Sequence, residues 1–178
     1  MVVVAPLVVR FSDILAHRLQ HLRNAFDRAI AENEYQNSYA AVFPIKVNQQ
    51  RLVVEEVYRY GAPHGFGLEV GSKPELLAVM AMTAGSTDRL IICNGFKDAE
   101  FIEMAMLAQK IGRRVIPVVE KYTELAMILQ YAAKVGVRPQ IDGIADLFRV
   151  LYALGRDERV LVVVDELPYL LGTSAAEQ

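Results

Sequence analysis

An α/β fold on a parallel sheet is predicted by three features of the sequence. Short apolar runs of strand length alternate with segments whose apolar residues recur at helical steps, five such alternations fall within about 100 residues, and Gly, Pro and Ser mark the junctions. The strand runs are apolar throughout, which suits a sheet covered on both faces. The expected architecture is about six parallel β/α units, as a partial (β/α) barrel or a rearranged open sheet.

Each element has its own justification. Ser12 or Asp13 caps a first helix carrying Ile14, Leu15, Leu19, Leu22, Ala25, Phe26 and Ile30 at steps of three and four. Tyr39 to Val47 reads as a strand, with Pro44, which has no amide donor, at its end or at an irregularity. Arg51 to Tyr60 is helical and Gly61-Ala-Pro-His-Gly65 breaks it. Phe66 to Val70 is a short strand, and Ser72 and Pro74 then open a helix through Met82 as cap and first turn. Arg89 to Cys93 is a strand, Asp98 to Ile111 a helix, Arg113 to Val119 a strand and Tyr122 to Val135 a helix. Arg138 to Ile141 is a further short strand, Ile144 to Leu154 a helix, and Val160 to Val164 the most apolar strand of all. Gly172 to Gln178 reads as a frayed end.

The chain's 178 residues, 53% hydrophobic and 22% charged, suit a single α/β domain that needs no disulfide or structural metal. A net charge of −2 without runs of like charge leaves no footprint for nucleic acid. No stretch approaches the roughly 18 apolar residues of a membrane span. The apolar start, Met1 to Arg10, lacks the basic lead and small-residue site of a signal peptide, and Cys93 is a lone thiol, so the cytoplasm is the expected compartment. Residues 142–178 hold seven acidic and three basic residues against 14 and 16 before them, a shift that places an internal seam near 142.

Lys46 is the residue with the sharpest chemical reading. It stands near a strand end between apolar neighbours, in Phe43-Pro-Ile-Lys46-Val-Asn-Gln-Gln50. Desolvation there would leave more of the amine neutral, as Schiff-base chemistry with an aldehyde requires. The alternative is a strand-end lysine with its ammonium in solvent.

The segment Val42 to Glu56 resembles the biosynthetic arginine decarboxylases, pyridoxal-phosphate enzymes of the alanine-racemase-like barrel class. So do Leu7 to Leu15, Gly67-Leu-Glu-Val-Gly-Ser-Lys-Pro-Glu-Leu76, Ile92-Cys-Asn-Gly-Phe-Lys-Asp98, and Val118-Val-Glu-Lys121 followed by Glu124-Leu125, so that the likeness covers residues 6 to about 141. The resemblance implies that Lys46 carries pyridoxal phosphate and that Glu69, at the end of the next strand, lies near the same centre. Ser72 and Glu75 read as helix cap and first-turn charge. Lys97 and Glu120 stand at strand ends without an assigned role. The family's barrel also brings a histidine stacked on the cofactor ring, a glycine-rich phosphate loop, an acid facing the pyridine nitrogen and a β domain that shares residues across a dimer. None of His17, His21 and His64 stands where that histidine belongs.

Residues 144–171 resemble something else, the helix and Walker B strand of a P-loop ATPase, with Asp165 and Glu166 after four apolar residues. No Gly-x-x-x-x-Gly-Lys-Ser/Thr accompanies them, and Gly67 to Lys73 is a decoy with only three residues between its glycines. Two resemblances meeting near residue 142 make a catalytically incomplete, recombined or designed α/β domain the first expectation. A pyridoxal-phosphate-binding arginine decarboxylase portion using Lys46 is the second, and a nucleotide-dependent module using Asp165 and Glu166 the third. Open sheet edges lead to an expectation of a homodimer or other self-association.

Overall fold

The structure is a computed structural model and describes residues 9–137. Helix α1 spans Ser12–Glu32, and four strand-helix units follow: β1 Val42–Pro44 and α2 Arg51–Gly61, β2 Gly67–Val70 and α3 Lys73–Met82, β3 Leu90–Cys93 and α4 Ala99–Lys110, β4 Arg114–Pro117 and α5 Tyr122–Val135. All strand pairs are parallel and the spatial order is β1-β2-β3-β4. Sequential order with a helix in each crossover is the arrangement of a barrel arc, whereas a doubly wound sheet reverses its order partway. Of the six expected units, four lie in this sheet. The expected strands Arg138 to Ile141 and Val160 to Val164, the seam near 142, and Asp165 and Glu166 lie outside the described residues.

The sheet has two apolar faces, set by the alternation of side chains along each strand. Leu68, Val70, Ile91, Cys93 and Val115 point toward the helices and pack with Val54, Leu76, Val79, Phe101, Ile102, Ala105, Met106 and Ala132. Leu90 and Ile92 point the other way and join Val118, with Val42 and Ile116 packed against them. A third cluster of Leu19, Ala41, Val57 and Phe66 fastens α1 and α2 to the start of the sheet.

Three boundaries differ from expectation for local reasons. The first strand ends at Pro44, where the missing amide stops the ladder, and Ile45–Val47 turns as a short 3₁₀ helix. Pro117 closes β4 in the same way, although the Val118 amide still donates to the Cys93 carbonyl at 2.8 Å. Neither Ser12 nor Asp13 caps α1; the N-cap is Phe11, and the Ser12 hydroxyl donates to Glu56 of α2.

Gly67 is required by backbone proximity: a Cβ there would lie 2.2 Å from the Leu90 carbonyl oxygen on the neighbouring strand. Gly67→Ala is expected to destabilise the fold by about 3 kcal/mol through this overpacking. Chemical denaturation measures it, and an unchanged midpoint would mean that β2 and β3 separate more readily than their register implies.

Candidate functional site

The C-terminal edge of the parallel sheet gathers the residues with chemical potential, as parallel α/β sheets do. Ile45, 4% exposed, takes the buried place in the 3₁₀ turn, so the adjacent Lys46 leaves the apolar layer and its side chain is 59% exposed. Of the two readings of this lysine, the structure agrees with the strand-end one whose ammonium stands in solvent, not the desolvated one. Its Nζ lies 3.6 Å from Oε1 of Glu69. The sheet register explains the meeting: Glu69 pairs with Pro44 on one side and Ile92 on the other, between Leu68 and Val70, which face the helices. Glu69 is thereby directed to the opposite face from the helices, toward the hollow of the arc. Its Oε1 also accepts a hydrogen bond from Asn94 Nδ2 at 3.3 Å, just past β3. An ion pair this exposed contributes at most about 1 kcal/mol, so its consequence is orientation of the amine.

Glu75 does more than serve as a first-turn charge. Ser72 caps α3 as expected, with its hydroxyl accepting from the Glu75 amide at 3.4 Å. The Glu75 carboxylate reaches back to accept from the Gly71 amide at 2.6 Å and from Gln49 Nε2 at 2.8 Å, a variant of the capping box that ties the loop after Lys46 to the loop after Glu69.

Lys97, noted at a strand end without an assigned role, and Glu124 form a pairing that sequence reasoning missed. Lys97 is 1% exposed and Glu124 also 1%, and Lys97 Nζ lies 3.2 Å from Glu124 Oε2. Glu124 accepts from the Lys97 amide through Oε1 and from the Glu120 amide through Oε2, each at 2.9 Å, while Lys97 Nζ donates to the Gly95 carbonyl. Glu120, also unassigned, thus contributes its backbone. A sequence signal existed: Glu75 and Glu124 both stand at the third position of a helix entered from a strand end.

Several residues lie elsewhere. His17 and His21 stack on each other on α1, and His64 ends the turn before β2, so none reaches the C-terminal edge. Lys73, of the glycine-spaced decoy, pairs with Asp98 at 2.9 Å and Glu100 at 2.5 Å. Its hydrogen bond, with that of the Phe101 amide, holds the Asp98 carboxyl below its ordinary value. No cluster of three His, Cys, Asp or Glu suited to a metal ion occurs among the described residues. No helix among them is long and apolar enough to cross a membrane.

Cys93 lies beneath this edge, fully buried at the end of β3. Burial pushes its thiol up to about 12, against a smaller opposing pull from the Lys97 charge. The unfolded thiol ionises near 9.0, so this group favours the folded chain below that pH and its contribution is lost as pH rises toward about 12. The melting temperature is expected to fall over that window. Iodoacetamide at about pH 8 should modify Cys93 only after denaturant is added; rapid alkylation of the native chain would show that the end of β3 opens.

Residues 19–148 match the profile of the family described as pyridoxal-dependent decarboxylase, pyridoxal binding domain. That match continues past the seam expected near residue 142. The chain is 54% identical over 136 residues to the biosynthetic arginine decarboxylase of Rhodopirellula baltica, covering 76% of this chain and 20% of that protein. It is 47% identical over 137 residues to the arginine decarboxylase of Solanum lycopersicum, covering 76% of this chain and 27% of that one. The crystal structure of the biosynthetic arginine decarboxylase from Campylobacter jejuni superposes with a TM-score of 0.68 at 28% identity, over 83% of this chain and 27% of that chain. The chain thus spans between a fifth and somewhat over a quarter of the length of these relatives.

Proposed function

Because the chain belongs to the pyridoxal-dependent decarboxylases through their pyridoxal-binding domain, we propose that it binds pyridoxal phosphate at Lys46 as part of an arginine decarboxylase type of barrel. The observation that carries this is the 3.6 Å pairing of an accessible primary amine with Glu69 at the C-terminal sheet edge. These residues fit the aldehyde end of the cofactor. Lys46 supplies the attaching nitrogen, Glu69 orients it, and Asn94 fixes Glu69. When bound, the cofactor supplies the conjugated electron sink that accepts the electron pair left as carbon dioxide departs.

Among the described residues, no histidine reaches this edge to stack on the ring. A catalytically incomplete, recombined or designed domain is the second reading. It draws on the shift in charge balance near residue 142, with seven acidic and three basic residues in 142–178. Addition of pyridoxal phosphate is expected to give a visible absorption band with little carbon dioxide release from arginine. No band would remove the binding reading, and vigorous release lost in Lys46→Ala would remove the incomplete-site reading.

Self-association belongs to the same proposal. Among the described residues β1 and β4 each have a strand neighbour on one side only, and α1 exposes Ile14, Leu22 and Phe26. Sedimentation should show a dimer or larger species; a monomer at high concentration would contradict it. The cytoplasm, where the lone thiol of Cys93 stays reduced, is the compartment proposed.

A further inference from the structure

We infer that the buried Lys97–Glu124 pair is a positioning device for Lys46, acting through Asn94 and Glu69; the inference rests on the proposal that Lys46 takes pyridoxal phosphate. Two opposite charges with at most 1% exposure are a poor choice for stability alone, since a well-packed apolar pair of similar volume serves as well or better. What an apolar pair cannot do is bind loop backbone. Here the carboxylate of Glu124 accepts from the Lys97 and Glu120 amides, and the ammonium of Lys97 donates to the Gly95 carbonyl. Three backbone groups of the loops after β3 and β4 are thereby set by one ion pair.

The loop after β3 then has little freedom. Gly95 adopts a φ of +81°, and a Cβ there would approach the Gly71 carbonyl oxygen to 3.1 Å, so the loop lies directly against the one after β2. Asn94, immediately before Gly95, keeps its backbone in register through its amide to the Val70 carbonyl at 2.9 Å. Its side chain is aimed at Glu69 Oε1, the same oxygen that faces Lys46 Nζ. The sequence of contacts runs from Glu124 to Lys97, Gly95, Asn94, Glu69 and Lys46, across all four strand ends. Neither member of the buried pair touches Lys46, so both are positioning residues.

The test compares the parent with the double variant Lys97→Met, Glu124→Leu and with Asn94→Ala, by limited reaction with pyridoxal phosphate and borohydride. The readout is the ratio of label on Lys46 to label on exposed Lys110 in the same molecule, which overall stability does not move. The double variant should melt about 5–15 °C below the parent, because the Lys97 and Glu120 amides and the Gly95 carbonyl lose their partners, while the ratio falls about tenfold, and Asn94→Ala should lower the ratio by a similar factor. An unchanged ratio in either variant overturns the positioning role, and Asn94→Ala decides it if the double variant does not fold. Exchange of the Asn94 side-chain amide protons, followed by NMR, separates this inference from the cofactor reading. If the parent shows no preference for Lys46, the cofactor reading fails, and faster exchange in the double variant still supports the loop-setting role. Unchanged exchange in a folded double variant overturns it.

Discussion

Glu124→Leu alone is expected to destabilise the protein by about 3–5 kcal/mol, because it leaves the Lys97 ammonium buried without its counter-charge. The same change removes the acceptor for the Lys97 and Glu120 amides, which lie at loop positions where no ladder bond replaces it. For a domain of this size such a loss is a large part of the total, so partial unfolding at room temperature should be visible by circular dichroism. The contrast is Glu100→Ala at the exposed Lys73 cluster, whose effect on melting should be small. A mild effect of Glu124→Leu would mean that water enters to solvate Lys97, and the loops at the sheet edge would then be looser than their hydrogen bonds imply.

The second large effect is chemical. Lys46→Ala should eliminate the visible band formed with pyridoxal phosphate while leaving the melting temperature nearly unchanged. The lysine's side chain is 59% exposed and its one ion pair is partly solvated, so the fold has little to lose. Lys46→Arg should fail equally, since a guanidinium stays protonated and is no nucleophile toward an aldehyde. Retention of the band in either variant would assign it to another lysine.

The parallel sheet was legible in the sequence because the alternation of apolar runs with helical periodicity is dictated by burial on two faces. Leu68, Val70, Ile91 and Cys93 show it directly, with neighbours on the opposite face equally apolar or, in Glu69, chemically distinctive. The nearness of Lys46 and Glu69 was implied by the family resemblance, and the register accounts for it, since parallel neighbours bring successive strand ends together. The exposure of Lys46 was one of two readings that the sequence left open. It depends on Pro44 ending the ladder and on Ile45 claiming the buried position in the 3₁₀ turn that follows, and strand alternation carries no information about such a turn. The pairing of Lys97 with Glu124 escaped notice for a different reason: a lysine before a helix cap and a glutamate in a first turn are ordinary surface choices. Only the close approach of the loops after β3 and β4 makes them a buried pair.

Trapping with borohydride followed by tryptic mapping tests the central claim most directly. Modification of Lys46 blocks cleavage there, so the labelled peptide should run from Ala29 to Arg51. The account predicts that most of the label appears in that peptide at low cofactor concentration and disappears from it in Lys46→Ala. Label distributed evenly over the exposed lysines, with no enrichment between Ala29 and Arg51, would contradict the assignment of Lys46 as the cofactor-binding residue.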